Sequence, residues 1–456
     1  MRIACRVTVL VSIVAAACGS KSPGNGDDAG IGDARTTGSD GGGDHGGQTP
    51  TNVTLTMHHQ PHDAAKFSYL VAYQDGAGPW ALAPAPSGET YTLPIYAPVF
   101  GVAWTCISGG AQPSSTQRLV SELQFAVSER TALTVEVPPR CSDAYTTVNL
   151  HGTIANQGIA TSYVVNWGDR TAVANSQGQY AMQVAPGTHD LFVFAGSSFT
   201  TGTGTTGGEL VATAAIVRRG VTISAATQLD LDGGDQENVQ SFQVDNLFGG
   251  TKQTASTTLY ANGTVAPLVT DSTIPFETEA LATDQMATGD VYDQQLTVAT
   301  FGASTSASTA TASPSDETWA AVPALGTVTS TSTLAPNPRV TSTWTHYPSA
   351  VGYVWAGTQT PASTGQNGCG GNGGACSILW TAQLSAGVIG DQGTYTMPDL
   401  AALAGWNPAL QMVAGRPIGG GVQAMTSTAT GDFPPLVPPT VGTQRTFATG
   451  EFSVTP

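Results

Sequence analysis

The sequence predicts an all-β protein made of serial β-sandwich modules, and three observations carry that expectation. Large apolar side chains recur at every second position, helical periodicity is confined to one interrupted stretch, and a Gly-then-Tyr unit returns at about the length of one sandwich domain.

The alternation is plain at Val53, Leu55 and Met57, at Leu123, Phe125 and Val127, and at Leu133, Val135 and Val137. Successive side chains of a strand point to opposite faces, so this spacing marks half-buried strands. The one helical candidate spans residues 399–412, where Gly405 and Pro408 interrupt the pattern. The repeat reads Gly88 then Tyr91, Gly178 then Tyr180, Gly289 then Tyr292, and Gly393 then Tyr395, with the glycines 90, 111 and 104 residues apart. Glycine supplies the turn and tyrosine opens a strand, its ring over the core and its hydroxyl at the edge.

The chain has 456 residues with 55 Gly and 28 Pro, enough for packed cores and too long for one ordinary domain. Charged residues are only 10% and the formal net charge is -17. Such a surface repels phosphate backbones, so nucleic acid is not an expected partner. Low charge with abundant Thr, Ser, Gly and Val fits an exported β-rich protein.

The N-terminus supports export. Arg2 and Arg6 precede a run from Val7 to Ala16 that is apolar apart from Thr8 and Ser12, which is the pattern of a signal peptide. The small residues Ala15-Ala16-Ala17 before Cys18 resemble the lipobox of bacterial lipoproteins, of myxobacterial type. The resemblance implies that Cys18 is acylated and becomes the mature N-terminus, fastened to a membrane. With Gly19 next in the chain, it also implies the outer membrane, periplasmic or surface-exposed. Loss of Arg2 and Arg6 would leave 13 bases against 32 acids, a net charge of -19. Residues 18–50, rich in Gly, Asp, Ser and Thr with Ile31 as their single large aliphatic, read as a disordered tether. Its r.m.s. span is roughly 30 Å.

Setting aside Cys5 and Cys18, four cysteines remain, enough for two disulfides in an oxidising compartment. The economical pairing is Cys106 with Cys141 and Cys369 with Cys376, each pair lying within one region.

The expected modules span 51–141, 142–230, 231–312 (with a linker) and 313–456. Within the second, Val148, Leu150, Gly152 and Ile154 open a unit that continues through Gly178 to Phe194. It resembles the carboxypeptidase-regulatory-like family, a small sandwich of immunoglobulin or transthyretin type, and fibronectin-III-like sandwiches give much the same pattern. The resemblance implies a fold and no chemistry. His189 stands where that family usually has Tyr. The low-complexity run from Ala303 to Thr309 reads as linker or long loop.

Three clusters are candidate sites. His58, His59 and His62 could ligate zinc or copper, or sit in a solvated loop broken by Pro61. Asp230, Asp232, Asp235 and Glu237 surround a Gly turn and could hold a structural calcium ion, or serve as ordinary turn residues; no other cofactor is expected. Tyr353 and Trp355 lie on one strand face in the tryptophan-rich C-terminal region, either as a platform for sugar rings or as core. No Gly-x-Ser-x-Gly elbow, His-Glu-x-x-His, phosphate loop or dinucleotide fingerprint occurs. The expectation is therefore a lipid-anchored, non-catalytic binding or adhesion protein with a glycan or protein ligand. The alternatives are an exported hydrolase with accessory sandwiches and a structural subunit of an envelope complex.

Overall fold

The computed structural model describes residues 49–62, 66–108, 118–138, 141–158, 162–199, 209–246, 252–271, 276–300, 302–335, 337–360, 377–390, 392–435 and 437–456. The expected signal segment, Cys18, the tether up to residue 48 and the Cys369–Cys376 pair lie outside the described residues. Strand accounts for 59% of the structure and helix for 3%, so the chain is all-β with several packed sheets. No helix among the described residues is long and apolar enough to cross a membrane.

A long sheet forms the backbone of the architecture. From one end its strands run Trp80–Leu82, Phe67–Asp75, Val99–Ser108 and Arg118–Ala126, then Ile378–Ser385, Gly352–Gln359, Ile418–Ser427 and Gln444–Val454. The pairing continues through Ala303–Thr311, Val291–Thr300, Lys252–Ala261 and Thr264–Asp271 to Glu209–Ile223, Gly187–Phe199, Ser162–Trp167 and Arg170–Val173. The chain's two halves meet where Arg118–Ala126 pairs in parallel with Ile378–Ser385, from Arg118 opposite Ile378 to Gln124 opposite Leu384. Parallel pairing of strands so distant in sequence buries both faces.

Both faces of Arg118–Ala126 are indeed covered. Leu119, Leu123 and Phe125 face a core shared with Val53, Leu55, Met57, Leu93 and Leu133 of a three-stranded sheet centred on Thr51–His58. Val120, on the opposite face, joins a core with Val340, Trp344, Tyr395 and Met397 of a second three-stranded sheet, Thr329–Thr333, Arg339–Thr345 and Gln392–Thr396. In Thr51–His58 the alternation read from sequence holds residue by residue, with Val53, Leu55 and Met57 buried and the threonines between them turned outward. The Cys106–Cys141 disulfide, with Cα atoms 5.8 Å apart, fastens this first layer to the long sheet.

The second unit is a sandwich. Val148–Ala155 and Gln179–Val184 pack Leu150, Ile154, Tyr180 and Met182 against Tyr163, Val165, Trp167, Leu191 and Val193 of the facing strands. His189 turns its ring edge-on to Trp167, 4.6 Å away.

The Gly-then-Tyr repeat has a common physical basis in its first three copies. Gly88, Gly178 and Gly289 take φ of +60°, +75° and +98°, a left-handed turn that an L side chain resists, and the strand after each buries its tyrosine. The fourth copy differs. Gly393 lies within Gln392–Thr396, and a Cβ there would come within 2.5 Å of the Trp344 indole. The glycine serves close packing rather than a turn.

Two expectations need correction. The run from Ala303 to Thr309 is strand, part of Ala303–Thr311, because its small side chains fit between Val291–Thr300 and Gln444–Val454, with Ser306 and Ser308 buried in the pairing. Residues 399–412 form turns and one 3-10 turn, Pro408–Leu410, instead of a helix.

Candidate functional site

The three sequence-level clusters do not assemble into sites. His58 Nδ1 lies 2.9 Å from Glu89 Oε2, while the backbone N–H of His59 donates to Glu89 Oε1 at 2.8 Å. Burial pushes the Glu89 carboxyl up, but the hydrogen bonds from His58 and His59 outweigh it and hold it below the usual range. The His59 ring turns the other way, against Tyr145 at 4.3 Å, with Nε2 4.0 Å from Glu136. His62 engages Asp143 only through its backbone N–H. The His58 and His59 rings are thus drawn to different carboxylates, Glu89 and Glu136. No group of three or more His, Cys, Asp or Glu side chains among the described residues is arranged to hold a metal ion.

The acidic turn is likewise dispersed. Asp230 accepts from Thr153 N and Gln228 Nε2, and Asp232 accepts from Gly234 N and Asn156 Nδ2 as the cap of the turn Gly233–Asp235. Asp235 pairs with Arg218. Glu237 faces Asp284, and its carboxyl is raised by burial and by that neighbour. These are turn and capping roles.

Tyr353 and Trp355 are fully buried, which removes them as a sugar platform. Trp355 Nε1 donates to Ser342 Oγ at 2.8 Å, and its ring stacks on Phe452 at 5.5 Å. The Tyr353 hydroxyl accepts from Tyr347 N at 2.9 Å. Burying two rings of this size stabilises the core by several kcal/mol, roughly 2–3 each. No face of either is left for a ligand.

Of the five tryptophans in the C-terminal region, Trp406 is the one that reaches solvent. Trp319, Trp344 and Trp380 are buried, whereas Trp406 is half-buried, its ring centroid 6.3 Å from that of Trp380. Asn337, Arg339, Asp399 and Gln411 complete the wall of an open dish of about 250 Å³ around the pair. Its floor encloses about 20 Å³, room for roughly one ordered water. Arg339 Nε and Trp406 Nε1 are buried donors with no protein acceptor. An unmet buried donor costs on the order of 1–3 kcal/mol.

Local chemistry fixes the loop that carries Trp406. Leu400, Leu410 and Met412 anchor it in the core, and Asn407 caps Pro408–Leu410 by accepting from Ala409 N. Arg118 from the distant strand donates to Ala409 O at 3.2 Å. A rigid loop loses little entropy on binding. Sequence reading counted the tryptophans but missed which was exposed. The signal was the setting Gly405-Trp406-Asn407-Pro408, where turn residues lift the ring off a strand. A second groove, lined by Tyr69, Tyr91, Leu82 and Pro84 among others, encloses about 310 Å³ against about 20 Å³ in the floor of the Trp406 dish, and has no charged side chain in its wall.

Comparison with known proteins leaves the chain without an assigned family. No family model matches it, and no curated protein does. Two solved structures align at 9% identity and a TM-score of 0.13. One is a DUF3823 family protein from Bacteroides ovatus, covering 34% of this chain and 91% of its own. The other, the FN1–FN3 domains of chicken CNTN1, covers 78% of this chain and 83% of its own.

Proposed function

We propose that the protein is an exported, lipid-anchored binding protein of the bacterial outer membrane whose C-terminal region takes a sugar ring in the Trp406 dish. The observation that carries the reading is the half-exposed Trp406 ring beside two buried, unmet donors, Arg339 Nε and Trp406 Nε1. Sugar rings offer an apolar face for stacking and hydroxyl oxygens that accept from such donors. Asp399, Asn337 and Gln411 in the same wall supply further acceptors and donors. The lipid anchor rests on the signal-like segment and on Cys18. Hydrolysis of a glycosidic bond calls for two facing carboxyl groups, and the dish wall holds one, Asp399, which favours binding over cleavage.

A glycan array probed with the full chain from Thr51 onward tests the reading. Binding that Trp406→Ala abolishes supports it; no glycan retained at high protein concentration, or retention that survives Trp406→Ala, rejects it. Labelling with a fatty acid in the producing cell tests the anchor, and an unlabelled, soluble product rejects that part.

A further inference from the structure

The outer face of the sheet that carries Arg339 is a grid of threonines. In the paired strands Thr329–Thr333, Arg339–Thr345 and Gln392–Thr396, Thr329 lies opposite Thr343, which lies opposite Thr394; the next row is Thr331, Thr341 and Thr396. All six stand on the face turned away from the core: five are exposed, and Thr341, at the centre of its row, is half-buried. Their neighbours Ser342, Trp344 and Tyr395 point inward. Rows along a strand repeat about every 7 Å and columns about every 5 Å. The third row pairs Thr333 with Arg339, whose side chain lines the Trp406 dish. The grid therefore runs directly into the dish.

Arg339 is the only charged residue in these three strands, in a chain whose net charge is -17. The hydroxyls are already organised. Thr329 Oγ1 and Thr343 Oγ1 lie 2.6 Å apart, and Thr341 and Thr396 are joined at 3.0 Å. The Thr341–Thr396 pair spends one O–H between its members and keeps the other, with spare lone pairs, for an outside partner, while Thr329 Oγ1 also reaches the Thr343 carbonyl at 3.5 Å. Threonine is stiff at χ1, so presenting these groups costs little rotamer entropy. A charged polymer would find a single counter-charge here, Arg339, and an apolar one no continuous hydrocarbon. A neutral, hydroxyl-rich chain matches both the methyls and the hydroxyls.

From this continuity we propose that the ligand is a neutral polysaccharide lying along the threonine face, with one of its sugar rings seated in the Trp406 dish. The inference rests on the dish being a sugar site and adds that recognition extends over several residues of an uncharged chain.

The test is calorimetric titration of the chain from Thr51 onward with cello-, chito- and malto-oligosaccharides from dimer to octamer. In the series that binds, affinity is expected to rise about tenfold between dimer and hexamer as the chain reaches the grid. The double variant Thr343→Glu with Thr394→Glu, both at exposed positions, is expected to hold the longer sugars at the dimer's affinity. Its dimer affinity should match the parent's, while two glutamates directly opposite each other repel and lower its melting temperature slightly. An affinity that does not change with length, or a rise the double variant preserves, overturns the extended face and leaves the dish intact as a site. If no series binds and Trp406→Ala is indistinguishable from the parent, the dish falls together with the extension.

Discussion

The Tyr395 hydroxyl donates a 2.6 Å hydrogen bond to Glu122 Oε2, across the gap between the outer threonine-bearing sheet and the long sheet. Glu122 has no exposed surface, and Gln124 donates to its other oxygen. The contact joins residues from opposite ends of the chain at the point where Arg118–Ala126 pairs with Ile378–Ser385. A lone carboxyl in an apolar core is costly when ionised. Burial raises its pKa from 4.5 to about 7, against the two hydrogen bonds, which lower it.

That shift makes stability depend on pH in a definite sense. Below about pH 4.5 the carboxyl is neutral in both folded and unfolded chains, and its contribution is fully present. Between about 4.5 and 7 only the unfolded chain ionises, so folding loses up to about 3 kcal/mol, and above 7 the loss levels off. Glu122→Gln keeps a carbonyl to accept from Tyr395 and removes the titration. Urea midpoints of the variant are expected to lose the decline between pH 5 and 7 that the parent shows; parallel curves would refute the assignment.

Arg445 and Asp432 form a second buried contact, bidentate, with Arg445 Nε and Nη2 each 2.7 Å from a carboxylate oxygen. Ser427 donates to the same carboxylate at 2.6 Å. Removing one partner leaves a charge without its main counter-ion in the interior, at a cost of roughly 3–5 kcal/mol. Asp432→Ala is therefore expected to destabilise strongly, and Asp432→Leu with Arg445→Met to recover much of the loss. Equal destabilisation in the single and double variants would show that the pair does not act as a unit.

Much of this fold was legible because period-2 alternation is local. Val53, Leu55 and Met57 needed no partner to announce a strand with one buried face. Arg118–Ala126 was harder. Leu119, Val120, Leu123 and Phe125 bury both faces, and the partner that covers one edge lies about 260 residues away, a distance no local pattern encodes. The one sign was Glu122 itself, an acid inside an apolar run. At the site, residue type pointed to the C-terminal tryptophans, but the regular strand spacing of Tyr353 and Trp355 drew attention to side chains that fill the core. Exposure belonged to Trp406, whose turn sequence breaks that spacing. The histidine and aspartate clusters failed for a related reason. Neighbours in sequence on a turn splay apart, and each found its own nearby donor or carboxylate.

The disulfide allows a direct check. Cys106 and Cys141 are both fully buried, and their bond closes a loop of sequence separation 35. Constraining the unfolded chain by a loop of that size contributes about 3–4 kcal/mol. Replacing both cysteines by alanine is expected to lower the urea midpoint correspondingly, and non-reducing peptide mapping of the parent should return the two peptides joined. Separate peptides would refute the bond.

Arg219 offers the last test, because it holds two strands through two acids. Its guanidinium donates to Asp190 Oδ2 at 2.7 Å and to both oxygens of Asp290, at 2.9 and 2.7 Å, while packing over the Phe192 ring at 5.2 Å. Burial alone would raise the Asp190 carboxyl, yet Arg219, the Gly220 amide and Asn262 together hold it below the ordinary range. A depressed carboxyl stabilises the fold above its unfolded pKa, near 4, and the contribution fades as pH falls through the folded value. In Arg219→Met both aspartates, each 4% exposed, lose their counter-charge, and of the groups that hold the Asp190 carboxyl down only Gly220 and Asn262 remain. The contribution of the depressed Asp190 carboxyl is expected to shrink, so the variant, weaker than the parent at pH 7, loses less further stability as pH falls through the carboxylate range. Melting temperatures of parent and variant across that range distinguish the cases, since a decline on acidification as steep in the variant as in the parent would mean that Arg219 contributes packing rather than charge.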